Sequence, residues 1–145
     1  MHRNVIMIKY PLLSAIMVVG LSACSTFSTQ QKFNQPDNLL FNNKELNTFP
    51  ISVQRDGRLC EDDKSNDQKC PIKFYIDDFK AGDFYINNAT TYYLKPNEYE
   101  LTVKNCKEEC KTSHIKINIS ESLQLVTLVL SIDHEGKPFI FNKKS

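Results

Sequence analysis

From Phe49 onward, apolar residues recur at every second position. Phe49, Ile51 and Val53 alternate with polar neighbours, as do Ile72, Phe74 and Ile76, then Tyr99, Leu101 and Val103, then Ile115, Ile117 and Ile119. A period of two sends one set of side chains inward and leaves the other in water, as in antiparallel strands with one wet face. Leu123 to Ile132 differs, with apolar residues on both parities (Leu125, Val126, Leu128, Val129, Leu130). That pattern predicts a central strand covered on both sides, and its β-branched residues argue against a helix. Phe139, Ile140 and Phe141 complete the sheet. Turn residues separate the runs: Asp77-Asp78, Ala81-Gly82-Asp83, Asn87-Asn88 and Glu135-Gly136-Lys137-Pro138, where Pro138 confines the last strand to an edge. Turns spaced by roughly eight to twelve residues predict an all-β fold, a small antiparallel β-sandwich.

The N-terminal pattern is of another kind. An apolar run from Leu12 to Leu21 follows the basic residues His2, Arg3 and Lys9, and Met7 offers an alternative start. The run is about ten residues, too short to span roughly 30 Å of hydrocarbon. It ends in Leu21-Ser22-Ala23-Cys24, which resembles the lipobox of bacterial lipoproteins. The resemblance implies cleavage before Cys24, acylation of its thiol, and attachment to the bacterial cell envelope by lipid. In that family an Asp after the cysteine tends to retain the protein in the inner membrane, so Ser25 favours the outer membrane, facing the periplasm. Residues 1–23 are then a signal peptide, 24–45 a lipidated flexible tether and 46–145 the β-sandwich. The tether is rich in Ser, Thr, Gln and Asn and has too little apolar surface to offset its ordering entropy. As a coil of about twenty residues it spans roughly 25 Å. Leu39, Leu40 and Phe41 form a small apolar cluster able to dock on the domain.

Charge narrows the partners. The chain of 145 residues carries 18 basic and 17 acidic side chains, and cleavage before Cys24 removes two of the basic ones, Arg3 and Lys9. The domain is near neutral, and its only arginines are Arg55 and Arg58, so no cationic surface suited to nucleic acid is present. Cys60, Cys70, Cys106 and Cys110 remain after Cys24, an even count that reads as two disulfides with three possible connectivities. Local pairing, Cys60–Cys70 and Cys106–Cys110, is the first choice, because each pair lies at the ends of a polar loop. A zinc site fits poorly, since no C-x₂-C pair is present.

Residues 72–104 run Ile72-Lys73-Phe74-Tyr75-Ile76-Asp77-Asp78, then Tyr93-Leu94-Lys95-Pro96-Asn97-Glu98-Tyr99-Glu100-Leu101-Thr102-Val103. This is similar to the PEGA-type, transthyretin-like β-domain of bacterial envelope proteins. There a strand ending in Y-I-D-G precedes a hairpin and L-K-P-G-x-Y-x-L-x-V. Asp78 and Asn97 stand where that family prefers Gly, and both residue types tolerate positive φ. The resemblance implies interaction or display rather than catalysis, and it brings no catalytic residue or cofactor.

Candidate chemistry is sparse. His114 lies on the polar parity of its strand and His134 beside a turn, so both read as solvated rather than as metal ligands. No G-x-S-x-G elbow occurs, and four glycines are too few for a phosphate-cradling loop. Glu61, Asp62 and Asp63 lack the glycine and distal glutamate of a calcium loop. Tyr75, Tyr85, Tyr92 and Tyr93 are the candidate partner-binding residues, since tyrosine is enriched at interfaces. Cross-strand aromatic packing is the competing reading. Two functions follow: a non-catalytic lipoprotein whose β-domain binds or scaffolds another envelope protein or glycan, or an exclusion lipoprotein that blocks an incoming enzyme, phage or plasmid through loop 54–70.

Overall fold

A computed structural model describes residues 32–143, with 108, 123 and 124 excepted. Cys24 and residues 1–23, read above as a signal peptide, lie outside the described residues. Eight strands form among them: β1 Phe49–Arg55, β2 Ile72–Ile76, β3 Phe79–Phe84, β4 Ala89–Leu94, β5 Asn97–Cys106, β6 Cys110–Ile119, β7 Val126–Ile132 and β8 Pro138–Asn142. They make two four-stranded sheets, β4-β1-β7-β8 and β3-β2-β5-β6, packed as a small all-β sandwich. The alternating runs sit where the period of two put them. Ile51, Val53, Ile72, Phe74, Ile76, Leu101, Val103, Leu128, Leu130 and Ile132 fill the space between the sheets. At roughly 1.5–3 kcal/mol per buried large side chain, this inner layer is the main source of stability.

Three expectations need correction. The sandwich is not purely antiparallel, because β1 pairs in parallel with β7 from Ile51↔Val126 to Arg55↔Leu130. Parallel neighbours need a long crossover, and five intervening strands and their loops supply it. Ala81-Gly82-Asp83 is not a turn but the body of β3. A register shift opposite Phe74 and Tyr75 leaves Ala81 without a cross-strand partner. The β4–β5 connection also lacks the positive-φ turn that the resemblance implies at Asn97. β4 and β5 belong to different sheets, so Lys95-Pro96 passes from one layer to the other. Asn97 accordingly starts β5 without positive φ, and at the Asp77-Asp78 hairpin the positive φ (52°) falls on Asp77 rather than Asp78. The Asp77 carboxylate accepts the Glu100 N–H at 2.9 Å, which fixes that turn.

Residues 34–41, assigned from composition to the tether, are part of the domain. Asp37 and Asp83 exchange two backbone bonds (3.1 and 2.8 Å), Leu40 N–H donates to the Ala81 carbonyl (3.2 Å), and Tyr93 N–H donates to Phe41 (2.8 Å). Asn34 bonds Asn87 and Ala89 at the opposite end. The segment is a strap along the β3 and β4 edges, which would otherwise leave backbone groups unpaired. Tertiary backbone bonds hold it, with Pro36 buried beneath.

β7 is covered on both parities, as its composition predicts. Val129 and Ser131 are buried on its outer face. Their cover is lateral: Phe141 pairs with Val129, Phe139 with Ser131, and the two rings stack at 5.9 Å.

Both disulfides follow the local pairing, Cys60–Cys70 and Cys106–Cys110. The first staples the 56–71 loop. Arg55 does the same from inside. It is 1% exposed, and its guanidinium donates to the carbonyls of Phe84 (2.7 Å), Cys70 (3.4 Å) and Arg58 (3.3 Å). Burial lowers its pKa to about 10, partly opposed by the charges of Asp56 and Asp63. Asn105 closes the same end, its amide donating toward Cys60 Sγ (3.1 Å) and the Gly136 carbonyl (3.3 Å).

Candidate functional site

The sandwich has two unlike ends. The loop 56–71, the 107–109 turn and the 133–137 turn share one of them, with both disulfides. A concavity of about 660 Å³ there is lined by charged groups such as Glu61, Asp62, Lys107 and Lys111. Both lysines are engaged: Lys107 Nζ meets the Asp62 carboxylate at 3.6 Å and the Glu61 main-chain carbonyl, and Lys111 Nζ meets the Glu135 main-chain carbonyl. Asp133 accepts the N–H groups of Lys137 (2.8 Å) and Glu135 (2.9 Å), the former chiefly holding its pKa below the usual carboxylate value. Cys60, Asp63 and Cys70 come close enough to suggest a metal triad. Both cysteines are spent in the disulfide, however, and Asp63 Oδ2 accepts the N–H groups of Lys69 (3.1 Å) and Cys70 (3.2 Å). The residues present do not suit an ion.

The other end displays apolar groups. Leu46 is 87% exposed, Leu125 69%, Phe79 61% and Phe41 37%. Phe41 and Phe79 meet edge to face at 6.2 Å. Beside them lies a cleft of about 370 Å³, walled by Phe41, Tyr93, Leu94 and Tyr99 and rimmed by Asn43, Glu45, Thr48 and Lys95. Each wall has a local cause. Tyr93 falls on the outward parity of β4, because Tyr92 and Leu94 face the core. Tyr99 is half-buried on β5, and its hydroxyl donates to the Lys95 carbonyl at 3.1 Å. Burial, then the nearby Asp77 charge, raises the Tyr99 pKa, so the hydroxyl stays protonated. Phe41 is held by the strap at φ 60°. For a bulky residue that left-handed conformation is an outlier and costs about 1–2 kcal/mol.

The four tyrosines singled out in the sequence do not form one surface. Tyr92 is 1% exposed, packs on Phe74 at 5.4 Å and donates its hydroxyl to the Ala81 carbonyl at 3.0 Å, so it is a core residue. Tyr75 lies half-buried on the outer face of the β3-β2-β5-β6 sheet, paired with Thr102 and Lys80. Tyr85 is in the β3–β4 turn at the disulfide end, where its N–H donates to Asn88 Oδ1 at 2.8 Å. Tyr93 alone reaches the cleft. Phe41, Lys95 and Tyr99, its partners there, were not singled out as site residues. The one signal for them was the Leu39-Leu40-Phe41 run inside a polar segment. His114 and His134 are both exposed and far apart in the fold, on β6 and in the 133–137 turn.

Comparison with protein-family models, curated proteins and solved structures returned no match to this chain.

Proposed function

We propose that this chain is a lipoprotein of the bacterial envelope, acylated at Cys24 and held at the outer membrane facing the periplasm. Its β-sandwich binds or scaffolds another envelope component by contact, without catalysis and without a cofactor. The Leu21-Ser22-Ala23-Cys24 run supports the anchor, and the likeness of residues 72–104 to PEGA-type domains belongs to the same reading. The observation that carries it is the direction of the strap. The chain joins the domain at Asn34, beside the β3–β4 turn at the disulfide end, and reaches Phe41 at the aromatic end. That entry point is at the opposite end of the sandwich from the exposed apolar groups Phe41, Leu46, Phe79 and Leu125. Those exposed apolar groups are the surface we assign to the partner.

Two measurements test this. Mass spectrometry of the native protein is expected to find an acylated N-terminal Cys24; a free thiol there removes the anchor. A photo-reactive residue at Phe79 is expected to capture an envelope component in cells, and one at Glu61 to capture none. Equal capture from both positions would refute the assignment of the aromatic end.

A further inference from the structure

We infer that the cleft between Phe41, Tyr93 and Tyr99 is a carbohydrate site that takes a neutral oligosaccharide with its sugar faces against the rings. This names the ligand class for the contact surface proposed above. It depends on the cleft and not on the anchor.

The backbone at Phe41 does not require a phenyl ring. Its carbonyl accepts the Tyr93 N–H at 2.8 Å, a bond any residue could make, and φ 60° is a conformation suited to glycine or asparagine. The ring adds little to the core, since it is 37% exposed and its ring contact, Phe79, is 61% exposed. Backbone strain with no structural return is a feature of functional positions. The cleft, about 370 Å³, is within the size range of small-ligand sites, yet it is open and polar at the rim.

The rim selects among ligands. Its two charges, Lys95 Nζ and the Glu45 carboxylate, face each other at 3.8 Å, so neither an anion nor a cation is favoured. Three of its backbone groups are already engaged. Tyr93 N–H is taken by Phe41, the Lys95 carbonyl by the Tyr99 hydroxyl, and the Glu45 carbonyl by the Thr48 hydroxyl at 2.7 Å. An extended peptide would therefore find the Tyr93 edge of β4 already taken by the strap. Among the uncharged polar side chains lining the cleft, the Asn43 amide and the Tyr93 hydroxyl have no partner among the described residues, and both lie beside exposed aromatic faces. Sugars offer the matching pair, polarised C–H faces for the negative ring surface and hydroxyls for an amide or phenol.

The test uses the full chain in a detergent without a sugar headgroup. It is titrated by NMR with chitotetraose, cellotetraose and maltotetraose, and with a proline-rich decapeptide as the competing ligand. Saturable binding of at least one oligosaccharide is expected, weakened about three- to tenfold by Tyr93→Ala. Phe41→Gly is the decisive variant, because glycine is at ease at φ 60°: the melting temperature is expected to hold or rise while affinity falls by a similar factor. The inference is overturned if no oligosaccharide binds, or if the decapeptide binds in their place. It also fails if Phe41→Gly retains full affinity, or if that variant melts markedly lower, which would make the ring structural. The assay needs no membrane, so its failure and a failure to find lipid on Cys24 are separate results.

Discussion

Arg55 occupies the inward parity of β1 after Ile51 and Val53, and it follows that parity into the core despite its charge. It has no direct carboxylate partner; three main-chain carbonyls receive it. Arg55→Met is expected to lower stability by about 2–4 kcal/mol in urea unfolding, because buried acceptors lose their donor. Arg55→Lys should recover less than half, since one ammonium cannot reproduce the planar fork. Tyr92 sets a second expectation. Burial pushes its hydroxyl pKa well above the ordinary value of 10. Its contribution is complete below about pH 10 and is lost as pH climbs from there toward the folded-state value, because only the unfolded chain then ionises. Arg55 acts in the reverse sense over the same range, since the folded state releases its proton first. Comparing wild type with Tyr92→Phe cancels that effect: the stability gap between them should narrow steadily above pH 10. Single residues were thus partly readable from sequence. Alternation placed Phe74 in the core correctly, whereas Tyr92, offered as a partner-binding residue, is buried. Alternation could not reveal that a buried cation would be received by the carbonyls of Arg58, Cys70 and Phe84, or that Phe41 would be fixed at positive φ.

Strands with β-branched or aromatic residues at alternate positions were legible, and β1, β2, β5, β6 and β7 lie on the predicted runs. β3 was not, because Phe79-Lys80-Ala81-Gly82-Asp83-Phe84 has turn-prone composition and no β-branched residue. It is a strand because β2 and the strap provide partners on either side. Its glycine is required by packing, since a Cβ at Gly82 would lie 2.9 Å from the Tyr92 hydroxyl. The strap itself was hidden for the same reason: its order comes from tertiary bonds, which local composition does not encode. Deleting residues up to Asn43 should therefore unpair both edges. The truncated domain is expected to lose stability and to self-associate, seen by light scattering after size-exclusion chromatography. The disulfides were legible in number and pairing but not in environment. Cys60 and Cys70 are buried at 6% and 1%, whereas Cys110 is exposed. Mild reductant with an alkylating agent should label Cys106 and Cys110 first, by peptide mass mapping. Serine replacement of the Cys60–Cys70 pair should cost about 2–3 kcal/mol.

At the scale of the whole molecule, the all-β class and the two-layer arrangement followed from periodicity. The strand order did not. Nothing local specifies that β1 should lie between β4 and β7 in opposite senses, since that choice is made by the fit of two inner faces. The two ends differ for a comparable reason: loops carrying cysteines and charges fall on one, and those carrying unburied rings fall on the other. The strap links them, and this has a mechanical corollary. If the N-terminus is tugged while something grips the molecule near Phe41, the load runs lengthwise along residues 34–41. Their bonds to β3 and β4 then share the tension in shear instead of opening one after another like a zip. A domain harnessed in this way withstands force best along the axis of residues 34–41.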